Sequence, residues 1–358
     1  ARYLPKTSNK KNMMKTPTPK ITALLSGAAL LASLSAQAVS TNPVGYTSTT
    51  LPVGAGNIFA PAFVNADDVV GTAVGVAAGA TSTITVSATL SAGAFDESVD
   101  VAFVSKGYPK YYLEVLNDTN GADGIDTEGL ILDVVSNTVS GVVVGADTSA
   151  LGVQGDENIA IRKHMTLSDV FSGSTGLIGF TDAITIYNED GPGTSVGHLP
   201  DGAGGFVLAA DFATITSDAP VYPGTGFVIN NVSPVTITPT GAVKLTDTQV
   251  VIYGGSVVNL VSAMKPLALV DLGADGRLND ALAVFTDVGT SYTTDGTLVP
   301  AVPAGAPGAG FLNNGLGFVS ATDFATPVIV EVDGTSEAIV VSASAGTVYK
   351  ASGTVVAQ

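Results

Sequence analysis

One ten-residue phrase occurs twice in this chain. Residues 205–214 read Gly-Phe-Val-Leu-Ala-Ala-Asp-Phe-Ala-Thr, and 317–326 read Gly-Phe-Val-Ser-Ala-Thr-Asp-Phe-Ala-Thr, identical at eight of ten columns without a gap. Internal repetition constrains a fold more than local propensity does, because each copy must close the same supersecondary unit. The parallel extends to Asp182–Tyr187 against Asp280–Phe285, and to Val235–Val243 against Thr347–Val355. Asn158-Ile159 and Asn259-Leu260 fall at similar places, with Asn57-Ile58 as the trace of a third, diverged copy. The 358 residues thus divide into 1–38, an N-terminal β unit at 39–155, and repeat units at 156–243 and 244–358.

The units read as all-β. Thr81–Leu90, Ala183–Tyr187, Val235–Thr238 and Val328–Val332 alternate β-branched residues between Gly, Pro, Asn and Asp turn signals. Turns every ten residues or so suit tandem sandwich- or barrel-like units rather than βαβ units. Thr166–Val170 reads as a connector of at most one helical turn. In the repeated phrase, Phe206, Phe212, Phe318 and Phe324 are expected as core anchors in a chain without Trp. Asp211 and Asp323 are expected to cap turns through backbone amides. Residues 300–310, rich in Pro, Ala and Gly, cannot pair as a strand and read as an exposed loop.

Residues 1–38 are set apart by composition. Lys15 and Lys20 precede an apolar Ile21–Leu34 stretch, and Ala36-Gln37-Ala38 is an A-x-A cleavage pattern, so the segment reads as a cleaved secretory signal. Residues 1–12 precede a plausible initiator Met. Six of the 14 basic residues and none of the 31 acidic ones lie in the first 38, so the remainder carries eight against 31, net −23. That sign disfavours nucleic acid and anionic lipid as partners. No second long apolar run follows, so no helical membrane span is expected in the mature chain. The absence of Cys excludes disulfides, thiolate metal sites and a Cys nucleophile.

Few residues invite chemistry. The segment 117–128 offers Asp118, Asn120, Asp123, Asp126 and Glu128 around Gly121 and Gly124, the hard oxygens and tight curl that Ca²⁺ needs, although Ala122 breaks the alternate spacing of a regular calcium loop. A weaker version lies at 271–280, with Asp271 and Asp275. Gly193–Gly197 matches G-x-S-x-G but sits in a Gly/Pro loop, and the last His, His198, follows Ser195 by three residues, so no hydrolase triad assembles in that order. His164 and His198 are the only histidines and read as surface or strand-end residues. Tyr111 and Tyr112, beside Tyr108 and Lys110, are the best ligand contacts by composition; neighbours on a strand face opposite ways, so one exposed ring is expected.

Asp133–Thr138, Gly155–Leu167, Pro223-Gly224-Thr225-Gly226-Phe227-Val228 and Thr240–Val243 follow one another in a succession that resembles a family of exported, β-rich verrucomicrobial proteins. The resemblance covers most of the chain after residue 38 and implies secretion and an all-β fold; it implies no activity and no site residues. The loops at 117–128 and 300–310 depart from it. The first expectation is a non-catalytic exported protein with a structural, surface or adhesive role, Ca²⁺-stabilised at 117–128, with self-association or a surface polysaccharide as its contact. The alternative is a glycan- or ligand-binding module beside secreted enzymes. A carboxylate hydrolase is the third.

Overall fold

The computed structural model describes residues 43–96, 108–118 and 126–255 and, in shorter stretches, parts of 257–351. The signal-like segment, Asn120, Asp123, Asp323 and most of 271–280 and 300–310 lie outside the described residues. The fold is all-β. The α-helix Leu167–Phe171 is five residues long and opens on a capping box in which Thr166 and Asp169 bond each other's backbone amides. No described helix is long and apolar enough to cross a membrane.

Two sheets carry the repeat. In the first, neighbouring strands run Gly54–Phe59, Phe227–Asn231, Ala183–Tyr187, Ser195–Pro200 and Phe206–Leu208. In the second they run Asn259–Val261, Ala338–Ser342, Val288–Tyr292, Phe311–Asn313, Phe318–Ser320 and Pro327–Val328. The order is the same, and the registers agree. Asn57 opposes Ile229 as Asn259 opposes Val341, and Leu199 opposes Val207 as Leu312 opposes Val319. Even the last strand has a counterpart, because Val207 bridges Ile215 as Val319 pairs Pro327. A two-stranded ladder accompanies each sheet, Thr49–Leu51 with Val235–Ile237 and Thr248–Ile252 with Thr347–Ala351.

The equivalences revise two sequence alignments. The partner of Ala183–Tyr187 is Val288–Tyr292, not 280–285, where Ala281–Val284 form no strand. Asn57-Ile58 belongs to the first copy rather than to a third one. Both asparagines are buried and turn Nδ2 onto a backbone carbonyl just before their strand, Asn57 onto Pro52 O at 2.9 Å and Asn259 onto Tyr253 O at 3.0 Å.

What separates Asn57 from the rest of its sheet is a closed six-stranded barrel. Its strands are Asp67–Ala77, Ser82–Val86, Tyr111–Val115, Ile131–Asn137, Gly141–Val144 and Asn158–Lys163. The barrel leaves the first copy after Phe63–Val64 and returns at Met165–Thr166. In the second copy the corresponding interval is only residues 262–268. Strand pairing therefore crosses the expected unit boundary at 155/156: Asn158-Ile159 closes the barrel, and residues 44–64 pair with 227–243.

Each part has its own core. Ile84, Leu113, Val134, Val142, Ile159 and Ile161 fill the barrel. Phe59, Phe171, Phe206 and Phe227 anchor the first copy, and Phe311, Phe318, Ile339 and Val341 the second. Phe206 and Phe318 are buried as expected, but Phe212 and Phe324 are not: they are 59% and 56% exposed. Both sit at a tight turn with φ of +58° and +59°, which aims the ring outward instead of into the sheet. Asp211 caps that turn as expected, accepting from Ala213 N and Thr214 N at 2.9 Å each.

Candidate functional site

A cleft of about 320 Å³ opens where the barrel and the two copies meet. The barrel contributes Ile131 and Asp133; the first copy Ile186–Glu189, Pro220–Pro223, Thr225 and Gly226; the second Gln249–Val251, Tyr253, Asn259 and Leu260. Sequence placed these residues far apart, and close backbone contacts bring them together. Gly129, with φ of +83°, lets the barrel approach Asp247 so closely that a Cβ would lie 2.7 Å from the Asp247 carbonyl. Gln249 then donates to Gly129 O through its backbone and to Asp126 O through its side chain, at 2.9 and 2.6 Å. Across the cleft, Asn188 (φ +60°) shapes the turn after Ala183–Tyr187 and donates to Val258 O at 2.8 Å, fixing the first copy's hairpin to the second copy.

Both histidines belong to this region, and both are buried, at 1% and 0% exposure, which corrects their reading as surface residues. His164 Nε2 meets Asp133 Oδ1 at 3.0 Å, and Tyr222 donates its phenol to Asp133 Oδ2 at 2.8 Å. His198 Nε2 meets Glu189 Oε2 at 2.6 Å, and Tyr108 donates to Glu189 Oε1 at 2.5 Å. Carboxylates only accept, so each histidine carries a proton on Nε2. The His164 ring lies between Tyr112 and Tyr222, with centroids 4.8 Å from each. Burial pushes the Tyr108 and Tyr222 phenols far above their ordinary value, and the adjacent carboxylates push the same way. The result is one histidine–carboxylate–tyrosine group in each wall, with every carboxylate oxygen already holding one protein donor.

The expected site residues are placed elsewhere or used differently. Tyr112 is 1% exposed and cannot serve as an open platform; its strand turns it inward against His164. Tyr111 is half-buried and packs edge-on against Phe95 at 5.1 Å, with Lys110 Nζ 5.9 Å from its ring centre. Of the calcium set, Asp118, Asp126 and Glu128 are described; Asp126 Oδ1 accepts from Glu128 N at 3.1 Å. No cluster of three metal-binding side chains occurs among the described residues. Ser195 to Gly197 of the G-x-S-x-G match, read as part of a Gly/Pro loop, belong to the strand Ser195–Pro200. Ser195 is exposed there and His198 buried, as residues three apart on a strand must be, so the two do not meet across a site.

A second polar cluster anchors the barrel. Fully buried Glu114 binds Arg162 Nε at 2.9 Å, Lys244 Nζ and the Thr246 hydroxyl at 2.7 Å, while Arg162 also reaches Asp67 at 2.8 Å. Burial alone would raise the Glu114 carboxyl; Lys244 and Arg162 outweigh it and hold the group below its ordinary 4.5. Sequence could not find either cluster, because paired side chains lie as far as 132 residues apart and no short motif joins them. The one local signal was Pro223–Val228, which lines the cleft beside Tyr222 through Thr225 and Gly226. No protein-family model, curated protein or solved structure matches the chain.

Proposed function

We propose that this is an exported, non-catalytic β protein that binds a neutral polyhydroxylated ligand, a sugar unit, in the cleft between barrel and repeats. The observation that carries the reading is the lining: Asp133 and Glu189 supply acceptors, Tyr187, Tyr222 and Tyr253 supply aromatic surface, and no lysine or arginine is among the described residues that line it. Acceptors without cations favour hydroxyl donors over phosphate or carboxylate ligands. Flat phenol rings suit the C–H faces of a sugar. The volume is at the small end of ligand sites and fits one or two sugar rings. Binding is favoured over catalysis because all four carboxylate oxygens are tied to phenol or imidazole donors, which fixes them in place. Export rests on the basic, apolar and A-x-A segment before residue 39. A surface or adhesive role is the setting this reading implies, with the cleft as its point of contact.

Isothermal titration with neutral mono- and disaccharides tests the reading. The native chain should bind at least one, and Tyr253→Ala, which removes a half-buried ring from the cleft wall, should weaken that binding roughly tenfold. Failure of every saccharide, or equal binding by the variant, overturns it.

A further inference from the structure

Three exposed phenylalanines form a set. Of the described phenylalanines, Phe180, Phe212 and Phe324 are exposed, at 52%, 59% and 56%, and all the others are buried. The same three have positive φ, +55°, +58° and +59°, and they make up half of the six described non-glycine residues with that backbone. Left-handed backbone favours Gly or Asn, and a bulky aromatic there is an outlier. Phe212 N donates to Leu208 O and Phe324 N to Ser320 O, each at 2.9 Å, so the two copies build the same turn; Phe180 N donates to Pro200 O at 2.8 Å. The turn itself is held by backbone and, in the first copy, by Asp211. Among the described residues, no ring contact or hydrogen bond of the turn uses the phenyl ring. A fold that needed only the turn would be served better by Asn, yet both copies of the phrase keep Phe at this position.

We infer that Phe180, Phe212 and Phe324 are presented side chains, a repeated aromatic contact for an uncharged polysaccharide. Two features point to that partner. The copies offer the same ring twice, which matches a ligand that repeats along its length and gains by being held at several points. The chain is strongly acidic, at −17 overall, which opposes a polyanion, an anionic lipid surface or a second copy of itself. Phe has no polar handle, so the contact is made by ring faces on sugar C–H groups. This contact does not depend on the cleft.

The test is retention of the full chain on insoluble cellulose, chitin and starch granules, with Phe212→Asn, the triple variant F180N/F212N/F324N and Tyr253→Ala run in parallel. Retention of the native chain on at least one polymer is expected, weakened roughly tenfold by Phe212→Asn and more than a hundredfold by the triple variant. Melting midpoints should be unchanged or higher in the variants, which separates lost contact from lost fold. No native retention on any polymer, or triple-variant retention within twofold of native, overturns the inference. Retention lost in Tyr253→Ala but kept in the triple variant also overturns it and assigns the polymer to the cleft. Self-association or binding to phosphatidylcholine vesicles that needs the three rings, without polymer retention, overturns it in favour of those partners.

Discussion

The two copies share strand order, register, a buried Asn and a buried Phe, and two of their differences bear on the cleft. Where the second copy has Phe311, packed over Gly289 and against Phe318, the first has His198, tied to Glu189. Where the second copy runs from Val261 to Leu269 in a short connection, the first carries the whole barrel. Both differences lead to the cleft: the histidine holds Glu189 in one wall, and the barrel brings Asp133 to the other. The second copy preserves an apolar way of filling the position, so the polar one is an addition to the unit rather than a requirement of it.

The sharpest break is at the joint between barrel and repeats. Glu114→Ala takes from two buried cations, Arg162 and Lys244, the carboxylate they share, and should cost about 3 to 5 kcal/mol in denaturant unfolding, the range for breaking a buried ion pair. The pH dependence has the same origin. Glu114 is held below its ordinary 4.5, so its contribution is complete above that value and is lost as pH falls below it, through the depressed folded value. Acid melting curves of the native chain should drop there, and the variant should show a shallower acid limb. A variant as stable as native would mean the barrel is attached by packing alone.

Next in size is the test of equivalence. Phe206→Ala and Phe318→Ala remove rings buried to the same 3% from matching strands, and each should cost about 3 to 4 kcal/mol by loss of transfer energy and a cavity. Unfolding by urea would measure both. A difference of more than about 2 kcal/mol would show that one core relaxes around the loss, and the copies would then be equivalent in backbone only.

Fold class was legible because β alternation and turn residues are local signals, and Phe206 and Phe318 stood in the right columns. The boundary at 155 was not, because a strand pair is a long-range fact: Asn57 finds Ile229 across 172 residues, with the barrel between. The polar cleft was hidden for the same reason. His164 and His198 looked exposed because nothing nearby in sequence could pair with both, and Asp133 and Glu189 differ from the other acidic residues only in what folding sets beside them.

The smallest effect separates the two phenylalanines inside one phrase. Phe206 and Phe212 are six residues apart and equally repeated, so composition treats them alike. Phe206 extends into the sheet, whereas Phe212 turns at φ +58° and faces solvent. Left-handed backbone costs a residue with a Cβ about 1 kcal/mol, and Asn tolerates it better because its short amide can bond locally. Phe212→Asn and Phe324→Asn should therefore leave the unfolding free energy unchanged or raise it by up to about 1 kcal/mol each, read by the same urea titration. A loss of about 2 kcal/mol or more would mean the exposed ring covers apolar surface, and the phrase would then be a packing module along its whole length.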